Sequence, residues 1–402
     1  MKFIELANSR MTSLGIVSNI VDGELILSDG SNSKKIKFEP LWESAYQEYQ
    51  TLRTKNYDIS NRVLQINNRI EIMLTTLSQP FGMYVEAYDF IDTNKNTVHI
   101  SNCSAIYKIA LFESSIYDGI FESRYRARIF NSKMEYRNFN LLIPNYYTAV
   151  YTHKGRKIPA NLCSNAIIEI EKCLFKLAVE FDESLIIYKQ KEKQVINGHR
   201  KKMDYSIMDI PKVIYESNVV KYYKVAKAST FASQCFLSYY HVLEYYFLQV
   251  AELKLHDRLA GVINSPSFKA NNEKLDKVIS IVRGQDSRND ETEMLRNVLD
   301  RYINEDELLL YISELEKDVG EKVYTKKRKL FGENIQINPL KDHALANTAQ
   351  VLKHIRNAIV HSSDRYNHEE CHIPLTDSED IINEYIPLIK YLAEKIIYGN
   401  AK

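Results

Sequence analysis

The residues of this chain best suited to chemistry lie near the end of the sequence, in the run His354-Ile355-Arg356-Asn357-Ala358-Ile359-Val360-His361. Histidine takes up or gives away a proton near neutrality. Arginine stays charged and grips phosphate oxygens with a planar fork of donors. Together the two suffice for attack of an RNA 2′-hydroxyl on its neighbouring phosphate without a metal. Asn357 is placed to orient the imidazole or bond a phosphate oxygen. Five residues along an ideal helix separate Arg356 and His361 by about 140°, so the two do not share a face. They converge only where the helix ends, or where a second subunit completes the site.

Other chemistries lack their residues. No G-x-x-x-x-G-K-[ST], G-x-G-x-x-G or G-x-S-x-G run occurs, which argues against a P-loop, a dinucleotide fold and a nucleophile elbow. The grouping His368-Glu369-Glu370-Cys371-His372 has irregular spacing and reads as a polar loop after a helix, so no metal and no cofactor is expected. Two basic runs stand out, KQKEKQVINGHRKK at 189–202 and Lys326-Lys327-Arg328-Lys329. Such runs are ordinarily solvated surface, but the second is the candidate for docking RNA phosphates by charge alone. Arg124, Arg126 and Arg128 alternate within Gly119–Phe130. On a strand they would project from one face and form a candidate site for sensing an anionic ligand.

The elements that must position these residues fall into two halves. Residues 1–205 read as β-rich. Asp22-Gly23 and Asp29-Gly30 bracket the apolar run Glu24–Ser28, with alternation resuming over Lys34–Phe38, the signature of a small meander. Met83–Phe90, Ala105–Phe112, Gly119–Phe130 and Lys133–Ile143 also alternate and are expected to be strands. Leu41–Lys55 reads as a helix, and Asn165–Glu180 leans the same way. The basic stretch 189–202 marks the boundary region. From Pro211 the period becomes helical through Ser217–Leu255, Lys274–Arg283, Glu291–Tyr302, Glu305–Val319, Asp342–His361 and Ser378–Ile397. The expected fold class is therefore α+β: a β-rich domain over 1–205, then an all-α bundle of five or six helices over 206–402.

An Arg and a His at this spacing, with Asn directly after the Arg, lie in the last third of a helical domain. An earlier long helix carries Phe236-Leu237-Ser238-Tyr239-Tyr240-His241-Val242-Leu243-Glu244-Tyr245-Tyr246-Phe247. This combination resembles the HEPN superfamily, whose nuclease members carry R-x(4–6)-H, over roughly residues 211–402. The resemblance implies a bundle that dimerises so that two Arg/His pairs form one RNA-cutting cleft. It implies a metal-independent endoribonuclease that leaves 2′,3′-cyclic phosphate and 5′-hydroxyl ends, with Arg356 and His361 catalytic and Asn357 and Glu244 orienting. Many bacterial members join such a nuclease to an unrelated sensing domain and act as toxin-like effectors in phage defence. The layout is similar to that of ApeA-like proteins, so a phage-derived or nucleotide activator is the implied further partner. Two alternatives stay open: a non-catalytic HEPN-like nucleotide- or partner-binding module, and an interaction protein that works through its β domain. In the subgroup that partners nucleotidyltransferases a Tyr commonly follows two residues after the His. Ser363 stands at that position here, and the first Tyr is Tyr366.

Composition bounds these readings. With 402 residues, 45% hydrophobic and 26% charged, the chain can bury two cores without staples. Its net charge of +1 leaves any nucleic-acid affinity to local patches. The 28 tyrosines suit half-buried walls and stacking surfaces. Five scattered cysteines, 103, 163, 173, 235 and 371, read as reduced thiols of a cytoplasmic protein. The opening MKFIELANSRMTSLG lacks the apolar core of a secretory signal, and the apolar run 231–250 is too interrupted to be a membrane span.

Overall fold

The computed structural model describes residues 2–30, 32–52, 55–76, 86–131, 136–181, 183–188, 213–286, 290–361 and 371–401. The chain divides into two compact units, Met1–Glu192 and Lys193–Lys402. This division falls within the basic stretch 189–202, ahead of the expected boundary at 205. That stretch and Pro211 lie outside the described residues.

In the first unit α1 (Phe3–Ser13) leads into β1 (Val17–Val21), β2 (Glu24–Asp29) and β3 (Asn32–Lys37). α2 (Pro40–Thr51) precedes β4 (Lys55–Asp58), β5 (Val63–Ile66), β6 (Arg69–Thr76), β7 (Tyr88–Ile91) and β8 (Thr97–Asn102). Next come α3 (Ala105–Glu113), α4 (Ile116–Ile120), a π-helical turn at Phe121–Tyr125 and α5 (Arg126–Phe130). β9 (Tyr136–Asn138), β10 (Tyr147–Thr152), α6 (Leu162–Phe181) and β11 (Leu185–Ile187) complete it. One sheet has the order β1-β2-β3-β9. The other runs β4-β5-β6-β10-β8-β7, with β11 also paired to β6.

The meander and the helix expected after it are present. The helical reading of 165–180 holds within α6. Two expected strands are helices instead. α3 is buried almost all round, through Ile106, Tyr107, Ile109, Ala110, Leu111 and Phe112, so its apolar residues carry no readable period. From Tyr117 to Phe130 the inward residues include Tyr117, Phe121, Tyr125 and Ile129, a spacing of four that belongs to a helix. This overturns the shared face of Arg124, Arg126 and Arg128. Two residues of helix turn by about 200°, so Arg126 leaves the side of Arg124 and Arg128. Arg126 instead pairs with Asp29 at 3.1 Å and Glu122 at 2.8 Å. Residues 133–135 of the expected strand Lys133–Ile143 lie outside the described residues; of the rest, 136–143, β9 alone is strand, followed by a 3₁₀ turn at Phe139–Leu141. Residues 83–85 of another expected strand lie outside the described residues.

Strand β6 explains how the first unit is layered. Ile70, Ile72 and Leu74 join the core beneath α6, and Met73 joins the core shared with α1, α2 and α3. Glu71 takes the same side as Met73 by the two-residue period and is fully buried. Its carboxylate accepts hydrogen bonds from Ser104 N at 2.8 Å, Ser104 Oγ at 2.7 Å and Thr148 Oγ1 at 3.0 Å. Ser104 in turn caps α3, its Oγ accepting from Tyr107 N. A buried carboxylate thus ties β6, β10 and the start of α3.

The second unit contains α7 (Ser217–Ala228), α8 (Ala232–Glu244), α9 (Phe247–Ile263), α10 (Asn272–Asp286), α11 (Glu291–Tyr302) and α12 (Glu305–Val319). A hairpin of β12 (Arg328–Leu330) and β13 (Glu333–Ile335) precedes α13 (Ala344–Val360) and α14 (Ser378–Gly399). The second unit is helical as expected, with one short hairpin inserted, and the single apolar run after Ser217 is three helices. α8 runs through the middle of the core, burying Cys235, Phe236, Tyr239, Tyr240, Val242 and Leu243.

Removing the Glu71 side chain leaves Ser104 N and Thr148 Oγ1 without an acceptor. Glu71→Ala should therefore lower stability by about 3 kcal/mol, read as an earlier midpoint in urea unfolding. Glu71→Gln, which keeps an acceptor oxygen, should lose less. An Ala variant as stable as the parent would show that the carboxylate holds nothing.

Candidate active site

Helix α13 carries the Arg/His run; a carboxylate of α12 fastens its start, and the backbone of His372 fastens its end. At its start Glu305 of α12 accepts from Asp342 N at 2.7 Å, Ala344 N at 2.8 Å and Leu345 N at 3.3 Å. These are the donors that a helix start leaves unpaired, and a negative charge is favoured there. One face then buries Ala344, Thr348, Val351, Leu352, Ile355 and Ala358. At its end His372 N donates to Ala358 O at 2.8 Å. The His372 imidazole is nearly inaccessible: Nδ1 meets Ser378 Oγ at 2.7 Å, and Nε2 lies 3.0 Å from Glu379 Oε1. That second contact has ion-pair distance but poor hydrogen-bond alignment. Glu379 also accepts from Ser233 N and Oγ, at 3.1 and 2.8 Å, so the turn into α14 is tied to α8.

Arg356 sits 24% exposed on α13. Its Nε lies 3.5 Å from Glu291 Oε1, its Nη1 donates to Asn357 Oδ1 at 3.1 Å, and its Cζ is 5.9 Å from the centre of the Tyr240 ring. The Tyr240 hydroxyl donates to the same Glu291 oxygen at 2.9 Å. Burial, and then the neighbouring Glu291 charge, push the Tyr240 hydroxyl well above the usual phenol range, so it stays a donor. Nη2 of Arg356 has no partner among the described residues. Beside this group Lys353 Nζ donates to Asp290 Oδ1 and Thr292 Oγ1, both at 2.8 Å. That hydrogen bond from Lys353 holds the Asp290 carboxyl below its usual range.

His361 follows the last turn of α13. Its N–H closes the helix on Asn357 O at 2.9 Å, its own backbone is extended at φ −100 and ψ 105, and its side chain is exposed. The run therefore sits where the helix ends, which is one of the two conditions for Arg356 and His361 to converge. His354 is committed elsewhere, with Nε2 2.8 Å from Leu330 O of the hairpin.

The other candidates are placed as follows. Glu244 is not beside Arg356; its Oε2 meets His241 Nδ1 at 2.9 Å across one turn of α8. The carboxylate that does reach Arg356 is Glu291, which sequence reasoning missed. Nothing in Glu291-Thr292-Glu293 distinguishes it from any acidic first turn of a helix. Of the basic run, Lys326 and Lys327 are exposed, Arg328 is turned inward to Glu384 and Tyr385, and Lys329 is exposed on β12. Only Lys327 of these lines a polar groove of about 690 Å3 between the hairpin and α13, which also takes in Asn334, Asn347, Gln350 and Asn357.

All five cysteines are free thiols, and burial pushes Cys103 up to about 12 and Cys173 and Cys235 up to about 11. These three are not thiolate nucleophiles at neutrality. Of the run His368–His372 only Cys371 and His372 are described, and both are buried. No three His, Cys, Asp or Glu side chains come together as a metal set among the described residues.

Glu291 serves two donors at once, and its loss leaves the Tyr240 hydroxyl buried without an acceptor. Glu291→Ala should cost about 1–3 kcal/mol of stability. Tyr240→Phe should then add little in the Ala background, because the hydroxyl has already lost its partner. Additive losses in the double-mutant cycle would mean that the two side chains act independently.

Among the described residues no helix is long and apolar enough to cross a membrane. No family model, curated protein or solved structure matches this chain.

Proposed function

We propose that the second unit is a metal-independent endoribonuclease. What supports this reading is one arrangement: Arg356 held near the end of α13 with no hydrogen bond from Nη2 among the described residues, Asn357 bonded to its guanidinium, and His361 exposed at the cap of the same helix. His361 takes the proton from a 2′-hydroxyl as its oxygen attacks the adjacent phosphorus. Arg356 stabilises the dianionic phosphorane that forms. The 5′-oxygen leaves with a proton from a second imidazole, supplied by His361 of another copy of the chain. The products are a 2′,3′-cyclic phosphate and a 5′-hydroxyl. Asn357 and Glu291 position the guanidinium and touch no reacting atom. The entering phosphate competes with Glu291 for it, so binding is coupled to loosening one ion pair. An RNase of this kind needs restraint, and we assign the first unit to sensing a phage-derived or nucleotide signal in phage defence.

Purified protein should cut single-stranded or loop RNA in excess EDTA. His361→Ala and Arg356→Ala should each slow cleavage by about a hundredfold or more, with melting of the exposed His361 variant unchanged. Activity lost to the chelator and restored by Mg²⁺ would contradict the mechanism. The two-copy cleft predicts a dimer by light scattering. A monomer that still cleaves at limiting dilution would exclude it.

A further inference from the structure

We infer that the groove between the β12–β13 hairpin and α13 is a nucleobase subsite built for a base edge rich in hydrogen-bond acceptors, as in uracil or guanine. This rests on the ribonuclease reading and names the base next to the phosphate that is cut. The groove, about 690 Å3, lies within the range of small-molecule sites. Six side-chain amides line it: Asn334, Gln336, Asn338, Asn347, Gln350 and Asn357.

Four of these amides are anchored at one end, and the anchors fix which end remains. Asn338 Oδ1 accepts from Leu340 N at 3.3 Å, Asn347 Oδ1 from Asn338 N at 3.1 Å, and Asn357 Oδ1 from Arg356 Nη1 at 3.1 Å. Backbone N–H and guanidinium groups only donate, so each amide is oriented with its oxygen on the anchor and its NH₂ turned away from it. Gln336 is the reverse: its Nε2 donates to Thr325 O at 2.7 Å and leaves its oxygen. Three oriented donors against one oriented acceptor make the lining donor-rich. Lys327 adds positive charge, and the one carboxylate of the lining, Glu333, is largely exposed and faces His354 Nδ1 at 3.6 Å. The Asn334 and Gln350 side chains make no hydrogen bond among the described residues and adapt to either edge.

Uracil presents O2 and O4, and guanine presents O6 and N7. The amino groups of cytosine and adenine would instead meet donors, a like-to-like contact that costs binding. Asn357 both lines the groove and accepts from Arg356, so the groove adjoins the residue proposed to bind the phosphate.

The test uses the full chain and 2′-O-methyl pentanucleotides, which cannot be cut. Each has a single central base, U, G, C or A, between abasic residues. Fluorescence anisotropy should show U and G bound about tenfold more tightly than C and A. Asn347→Asp keeps the oxygen that accepts from Asn338 N but removes the donor, and it should bring all four bases within about twofold of each other. If that variant fails to fold, Asn338→Asp applies the same change beside it. Arg356→Ala should weaken all four and, by releasing Asn357, narrow the preference without abolishing it, because Asn338 and Asn347 keep their anchors. Equal binding of the four bases by the parent chain, or a preference that survives the folded Asp variant, would overturn the subsite. Cleavage is read separately: a base preference without cleavage supports the subsite and sinks the ribonuclease reading, and cleavage without preference does the opposite.

Discussion

A guanidinium set into the packed face of a helix must find acceptors, and the second unit is arranged around satisfying Arg356. Glu291 supplies the counter-charge, Asn357 an amide oxygen and Tyr240 an aromatic wall. Each comes from a different direction. Glu291 begins α11, Tyr240 lies in the buried middle of α8, and Asn357 is the next residue on α13 itself. The packing of three helices is thus written into the surroundings of one side chain. With both partners about one-quarter exposed, the ion pair adds only modest stability. Its larger effect is to hold the guanidinium in one orientation.

The same device recurs where the chain enters and leaves the α13 region. Glu305 collects the free N–H groups at the start of α13, and Glu379 joins α14 to α8 and to His372. Between α12 and the hairpin, Glu316 accepts from Tyr324 N, Thr325 N and Thr325 Oγ1, all at 2.7 Å. The hairpin that walls the groove is therefore anchored at its base, and His354 pins its turn to α13. These carboxylates set backbone positions that apolar packing alone leaves free to slide, since burial has no direction. Glu71 does the same work in the first unit.

The parts of this fold that were legible in the sequence share a cause. Helices α10 to α14 have one apolar stripe each, and the meander has Asp-Gly turns, so period and punctuation agree. α3 is buried on nearly all sides, which erases its period. The β5–β6 hairpin went unread because its turn is Asn67-Asn68 with no glycine, although Asn67 takes the left-handed φ of 48 that asparagine tolerates. The β12–β13 turn is Phe331-Gly332, both at positive φ (42 and 83); its glycine is a turn signal, but the bulky Phe331 before it is an unusual occupant of that conformation. At the site, Arg356, Asn357 and His361 stand in one short run and could be read together. Glu291 and Tyr240 are brought to them by tertiary packing across 65 and 116 residues of sequence, respectively, and no local signal marks them. Glu244 lies one turn beyond Tyr240 on the same helix, and its partner is the nearer His241.

The chemistry proposed for Arg356 and His361 has a signature in its products. In-line attack by a 2′-hydroxyl must leave a 2′,3′-cyclic phosphate on one fragment and a 5′-hydroxyl on the other, whereas attack by water can leave a 3′-hydroxyl and a 5′-phosphate. Mass spectrometry of the fragments from a defined RNA oligonucleotide, cut by the full chain, separates the two outcomes. Cyclic phosphate ends that disappear with His361→Ala are the predicted result. Fragments ending in a 3′-hydroxyl and a 5′-phosphate would contradict it.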